Sequence, residues 1–291
     1  MFFGSIPALV TPFSGGRVAE DTFSAFVEWQ ISEGSNALVP CGTTGEVATL
    51  GSDEHRHVIA TAVEAAKGRV PVIAGAGTYD TAASIERARA AADVGAEAVL
   101  VVVPYYNKPS QAGLAAHFLA IADASPLPIV VYNVPSRTVA DISVETLATI
   151  ARHPKIVAVK DATGNLARVS AQRLACGEGF CQLSGNDDMA LGFNAMGGVG
   201  CISVTANVAP RLCSDFQKAM REKRWEDALK LQDKLYPLHA ALFTDASPAP
   251  TKYALSRVRK DFPAEARLPI VEASEASKRA VDAALDHAGL I

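Results

Sequence analysis

Apolar residues in this chain come in short blocks separated by longer amphipathic stretches, from one end to the other. The blocks lie at 6–10, 37–39, 70–74, 98–103, 129–132, 156–160, 181–183 and 200–204. Most are continuous rather than alternating, which predicts parallel strands covered on both faces. Between them, 21–33, 52–67, 81–94 and 113–124 space their apolar residues as helices do. Ser52 followed by Asp53 and Glu54 reads as a helix start, a capping hydroxyl with two carboxylates at the positive end of the dipole. Gly34, Gly68 and Gly95 each close a helical stretch where a left-handed terminator is expected.

Eight strand blocks with helices between them predict an α/β fold, a (β/α)8 TIM barrel over residues 1–209. From 210 to 291 only helical spacing remains, at 225–242, 252–260 and 273–288, with the proline-rich 247–250 between two of these. This predicts the last barrel helix and a C-terminal helical appendage packed on the barrel. A doubly wound open sheet is the rival, but no G-x-G-x-x-G follows the first block. The stretch 189–210 carries no charge, yet Gly197 and Gly198 break it and Pro210 closes it. It reads as a helix, a turn and a strand rather than a membrane span.

Composition narrows the function. With 291 residues, 49% apolar and 20% charged, the chain can bury a large core, which excludes global disorder. The net charge is −4 and no basic run stands out, which argues against a nucleic-acid binder. The five cysteines are odd in number and contain no C-x-x-C, and the N-terminus lacks the basic region of a secretory signal. A reducing, cytoplasmic setting is expected. His55 and His57 are two apart on an expected helix, on different faces, and no Cys/His cluster has zinc spacing, so no metal site is expected. No G-x-S-x-G elbow occurs, and Cys41 fits a small buried thiol better than a nucleophile.

In such barrels the chemistry sits where strands end at the C-terminal rim. Read there, the chain offers CGTTGE at 41–46, PYYN at 104–107, YNVPSRT at 132–138, KDATGN at 160–165 and SGND at 184–187. Period-2 alternation puts Ile156, Ala158 and Lys160 on one face of a buried strand. Burial penalises an ammonium, which favours the neutral amine that Schiff-base chemistry with a ketone needs. Read alone, the same residue also fits a rim lysine, solvated or paired with Asp161. Gly42 and Gly45 bracket a turn in which Thr43 and Thr44 would present amides and hydroxyls to a small carboxylate, or a plain Gly-x-x-Gly turn. Tyr132 offers a phenol at a strand end, and Arg137 a planar fork for a second carboxylate. Tyr105 and Tyr106 add aromatic hydroxyls that fit a subunit contact equally well.

Together and in order, GTTGE, PYYNKPSQ, YNVPSRT and VKDATG resemble the class I, pyruvate-dependent aldolase superfamily, and within it the dihydrodipicolinate synthase family. The likeness runs from 6 to roughly 260. It implies that Lys160 forms a Schiff base with pyruvate. Thr44 and its amide would hold the pyruvate carboxylate, Ile202 would contact the ketoacid, and Gly185 would border the substrate. Tyr132 would donate and accept protons. Thr43 and Tyr106 would complete a relay, Tyr106 reaching in from a neighbouring subunit. Arg137 would bind the carboxylate of L-aspartate 4-semialdehyde.

The resemblance further implies a lyase of lysine and diaminopimelate synthesis that needs no metal or organic cofactor. It implies no nucleic-acid or membrane partner, and a homotetramer built from two tight dimers. Sister enzymes, N-acetylneuraminate lyase and the 2-keto-3-deoxy sugar-acid aldolases, share the lysine, tyrosine and carboxylate loop but typically lack an arginine at position 137. A catalytically silent ketoacid-binding barrel is the alternative of another class, and the complete Thr43, Tyr106, Tyr132 and Lys160 set argues against it. In the pocket where lysine inhibits some relatives, His55 and Tyr105 match while Val47, Ser52, Tyr79 and Ala83 do not. Ala83 replaces a carboxylate, so weak or absent inhibition is expected.

Overall fold

Every one of the eight apolar blocks takes its place in a closed parallel sheet. The computed structural model describes residues 2–291. The chain runs through β1 (Gly4–Pro7), a hairpin of β2 (Phe13–Ser14) and β3 (Arg17–Val18), α1 (Glu20–Ser32), α2 (Ser52–Ala66) and β4 (Ile73–Gly75). It continues through α3 (Thr81–Asp93), β5 (Ala98–Val102), α4 (Gln111–Ala124), β6 (Ile129–Asn133), the single turn α5 (Pro135–Thr138) and α6 (Val144–Ile150). Next come β7 (Ile156–Asp161), α7 (Ala167–Cys176), β8 (Cys181–Ser184), α8 (Ala190–Ala195) and β9 (Gly200–Ser203). Helices α9 (Pro210–Arg221), α10 (Trp225–Ala241), α11 (Ala249–Val258) and α12 (Glu275–Ala288) complete it.

Hydrogen-bonded neighbours run β1-β9-β8-β7-β6-β5-β4, every pair parallel. The block 37–39 closes the ring, Val39 bridging to Ala8 and Leu38 to Val72. It makes bridges rather than a full ladder because Pro7, Pro40 and Pro71 have no N–H to donate. Their carbonyls still accept, from Val39 N–H at 3.0 Å, Gly75 N–H at 2.9 Å and Leu38 N–H at 3.0 Å respectively. The result is the expected TIM barrel with helices outside it.

Two apolar clusters follow from the alternation. Ile6, Val39, Leu100, Val130, Tyr132, Leu183 and Ile202 fill the barrel. Val99, Val101, Val131 and Val159 point outward to helix residues such as Phe118 and Ile121. Full burial of each such aliphatic or aromatic side chain contributes about 1.5–3 kcal/mol.

Strand β7 breaks the alternation once. Ile129 pairs with Ile156, but Val130 pairs with Ala158, so Val157 is an extra residue in the ladder, a bulge. Ile156 therefore joins the outer cluster while Ala158 faces the interior. The expected shared face holds for Ala158 and Lys160 but not for Ile156.

The helix punctuation is close to expectation. Gly34, Gly68 and Gly95 have φ of +98°, +68° and +90°, values that a side chain would resist. Helix α2 is capped by Gly51, whose N–H donates to the Glu54 carboxylate at 3.3 Å, rather than by the Ser52 hydroxyl. Helix α4 starts two residues early, with the Ser110 hydroxyl accepting the Gly113 N–H at 3.2 Å. Within 189–210, α8 ends, Gly197 turns at φ +113°, and β9 follows. Among the described residues, no helix is long and apolar enough to cross a membrane. The connection from α11 to α12 returns to the hairpin, where the Glu265 carboxylate accepts the N–H groups of Gly15 and Gly16 at 2.9 and 2.7 Å.

Candidate active site

Lys160 is the penultimate residue of β7 and lies in register with Tyr132 on β6 and Leu183 on β8. It is 5% exposed and Tyr132 is 7% exposed. The lysine Nζ sits 4.2 Å from the centre of the Tyr132 ring, an arrangement that stabilises an ammonium modestly and holds both side chains at one spot. Asp161 is not its partner. That carboxylate points to the other face of the strand. It accepts the Thr163 N–H at 2.8 Å and hydroxyl at 2.6 Å on one oxygen, and Gln172 at 2.7 Å and Arg168 at 3.3 Å on the other. The reading of Lys160 as a lysine paired with its neighbour therefore fails.

The loop after 37–39 is tightly wound. Gly45 N–H bonds to Gly42 C=O at 3.0 Å and Glu46 N–H to Thr43 C=O at 3.1 Å. Among the described residues, the N–H groups of Thr43 and Thr44 take no acceptor, which leaves two adjacent donors for an anion. The glycines do not do what their spacing suggests. Gly42 has room for a side chain, and positive φ falls instead on Cys41 (+56°) and Glu46 (+55°). Gly45 is required by packing, since a Cβ would stand 2.9 Å from the Leu9 carbonyl oxygen. Thr44 is buried and Thr43 exposed. Thr43 and Tyr132 line one small cavity together with Gly75, Gly77, Leu100 and Val102.

Ile202, fully buried on β9 opposite Ile6, belongs to the same interior cluster as Tyr132. Gly185 follows β8, its N–H donating to Asp161 C=O at 2.7 Å. A Cβ there would lie 2.7 Å from that of Ala162, so only glycine fits. Arg137 is exposed on α5, directly beyond β6. A single chain does not bring Tyr106 to this cluster: it lies in the loop after β5 at φ +67° and is 96% exposed. Cys41 is no nucleophile. Burial pushes its thiol well above the ordinary range, and its Sγ contacts the His55 carbonyl at 3.6 Å. A larger cavity, about 520 Å³, opens at the opposite end of the strands between Phe2, Pro128, Ile156 and Cys181, away from these groups.

Comparison with known proteins places the whole chain in one family. The model of the dihydrodipicolinate synthetase family matches residues 1–288. The chain belongs to that family. It is 64% identical over 290 residues to the 4-hydroxy-tetrahydrodipicolinate synthase of Rhizorhabdus wittichii and 65% identical over 291 residues to that of Zymomonas mobilis, each covering 100% of both chains. The chloride-inhibited dihydrodipicolinate synthase from Acinetobacter baumannii, solved in complex with pyruvate, superposes with a TM-score of 0.97 at 41% identity, again over 100% of both chains.

Two polar assemblies of this dihydrodipicolinate synthetase family member escaped the reading of its sequence. Behind the Tyr132–Lys160 pair, Asn133 donates to Asp141 at 2.7 Å, and Arg168 joins Asp161 to the Ile142 carbonyl, 2.7 Å away. Beneath the Thr43–Thr44 loop, Glu46 meets Lys252 and Arg267 from the C-terminal segment. The acidic residue closing GTTGE was a signal for the second. Nothing local marked Lys252.

Proposed function

We propose that Lys160 is the Schiff-base lysine of this chain, a lyase that condenses pyruvate with L-aspartate 4-semialdehyde to 4-hydroxy-tetrahydrodipicolinate. The observation that carries the assignment is the buried Lys160 amine set 4.2 Å over the Tyr132 ring, with its adjacent carboxylate engaged elsewhere. The amine adds to the keto carbon and water leaves, giving an imine whose positive nitrogen is the electron sink. Loss of a methyl proton gives the enamine, whose carbon attacks the aldehyde. The substrate's own amine then adds to the imine carbon and expels Lys160, closing the ring and freeing the enzyme.

The unengaged amides of Thr43 and Thr44 support a cradle for the pyruvate carboxylate. Tyr132, whose ring centre lies 4.2 Å from the Lys160 Nζ, is assigned the proton transfers. Gly185 and Ile202 border the ketoacid. Exposed Tyr106 is assigned to the relay of a neighbouring subunit, with Thr43 between, which makes the working form a homo-oligomer, here taken as a dimer of tight dimers. The five free thiols support a reducing, cytoplasmic setting. Lysine is assigned at most weak inhibition, because Ala83 offers no carboxylate to the effector's amine. An inhibition curve reaching half-effect below millimolar lysine contradicts that.

Arg137 decides between the synthase and the sugar-acid aldolases, since a fork at the rim suits a second carboxylate better than a polyol chain. Arg137→Ala is expected to raise KM for the aldehyde by about 10- to 100-fold with the pyruvate KM unchanged. Steady-state kinetics varying each substrate in turn measures this. An unchanged aldehyde KM removes Arg137 from the site, and turnover of a 2-keto-3-deoxy sugar acid in preference to the semialdehyde moves the chain to the sister class.

A further inference from the structure

Glu46 ends the GTTGE loop in a left-handed conformation, φ +55°, with its side chain buried. One carboxylate oxygen forms an ion pair with the Nζ of Lys252 on α11, and the other accepts the Arg267 N–H at 2.9 Å. Lys252 is 0% exposed and also donates to the Glu265 carbonyl at 2.7 Å. Burial pushes its pKa down to about 8, and Glu46 opposes that shift. Phe13 is shared by both cations, with Lys252 Nζ 4.2 Å and the Arg267 guanidinium 4.1 Å from its ring centre. The Arg267 side chain then reaches the Thr49 carbonyl at 3.0 Å and the Glu54 carboxylate at 2.6 Å, spanning the far side of the same loop.

A buried carboxylate at this position is costly unless paired, and it stands two residues from Thr44. The loop geometry is under tension of its own, because two non-glycine residues, Cys41 and Glu46, hold positive φ. Turn bonds within the loop and the Thr11 hydroxyl, 2.8 Å from the Gly45 carbonyl, hold part of it. The contacts to the Glu46 side chain come from residues about two hundred positions away, in the C-terminal segment.

We infer that Lys252, acting through Glu46, is a positioning residue that holds the Thr43–Thr44 amides in the geometry that binds the pyruvate carboxylate. The inference rests on the cradle reading given above. It assigns the C-terminal segment a task in substrate binding, and separates that task from the proton chemistry at Tyr132. A loop displaced by even an ångström loses oriented binding first, while Lys160 and Tyr132 stay in place on their strands.

The test is a set of three variants of the full chain, with KM for each substrate and kcat measured separately. Lys252→Met is expected to raise the pyruvate KM by about tenfold or more, with the aldehyde KM within about twofold and a smaller fall in kcat, since the same loop carries the Thr43 relay hydroxyl. Glu46→Gln/Lys252→Met removes both charges, so it avoids the unpaired buried carboxylate and is expected to fold with a Tm near that of the parent. It too is expected to show the raised pyruvate KM, since the link is still broken. A folded double variant with the parent pyruvate KM, or a Lys252→Met enzyme that loses kcat alone, overturns the inference. Thr44→Pro, which deletes one of the two cradle N–H groups, separates the two layers. If Thr44→Pro raises the pyruvate KM and the Lys252 variants do not, the clamp is wrong and the cradle stands. If Thr44→Pro leaves it unchanged, the cradle reading fails and the inference falls with it.

Discussion

Replacing Lys160 with methionine is expected to lower turnover by at least about 10⁴-fold while leaving the fold intact. The amine is the nucleophile set beside Tyr132, and neither the loop amides nor the tyrosine can substitute for it. The same change is expected to raise Tm by about 2–4 °C. An amine held in an apolar barrel interior, 5% exposed and with its neighbouring Asp161 fully engaged by Thr163, Gln172 and Arg168, is a stability cost retained for chemistry. Methionine keeps the length and the packing over the Tyr132 ring. Lys160→Arg adds a control: it keeps a positive charge but cannot form an imine, because a guanidinium stays protonated. Thermal melts and steady-state rates on both variants settle this. A Lys160→Met enzyme retaining more than a tenth of the parent rate is incompatible with imine catalysis at this residue.

Removing the hydroxyl of Tyr132 is the second large effect. Tyr132→Phe keeps the ring against Lys160 Nζ, so packing and Tm are expected to change little. Its kcat is expected to fall by about 10²–10⁴-fold, the usual range for loss of a positioned proton donor and acceptor. Imine formation with pyruvate is expected to survive, slowed, because the nucleophile is still present. Borohydride trapping and turnover are measured side by side. Parent-level turnover takes Tyr132 out of the proton path, and complete loss of the trapped adduct makes it a structural support for the lysine instead.

The architecture was legible in the chain because parallel strands covered on both faces must be apolar throughout, and all eight blocks became barrel positions. What the pattern could not carry was local. The Val157 bulge turns Ile156 outward, and a bulge is set by how two ladders register rather than by either strand alone. Gly42 and Gly45 looked like the pivots of the GTTGE turn, yet the strained φ values fall on Cys41 and Glu46, the latter held by contacts from distant residues. Ser52 had the right chemistry for a cap and lost the position to Gly51.

At the site, alternation put Lys160 on an interior face and strand-end position singled out Tyr132; the register pair that joins them follows from the barrel. Tyr106 was legible as an aromatic rim residue, but a lone chain leaves it in solvent. Lys252 was invisible. It sits on an amphipathic C-terminal helix where a lysine reads as solvated, and its full burial depends on Phe13, Glu46 and Glu265, which meet it only in the folded chain.

Two buried lysines therefore compete for the role of nucleophile. Lys252 has an amine that burial pushes down to about 8, a mark often read as catalytic. It is nonetheless 0% exposed and tied to Glu46, whereas Lys160 is 5% exposed near the C-terminal end of β7, beside Tyr132. Incubation with pyruvate, reduction with borohydride and peptide mapping by mass spectrometry tells them apart. A single reduced pyruvyl label on the peptide containing Lys160 is expected. A label on Lys252 or any other lysine, or no label at all in an enzyme that turns over, contradicts the mechanism.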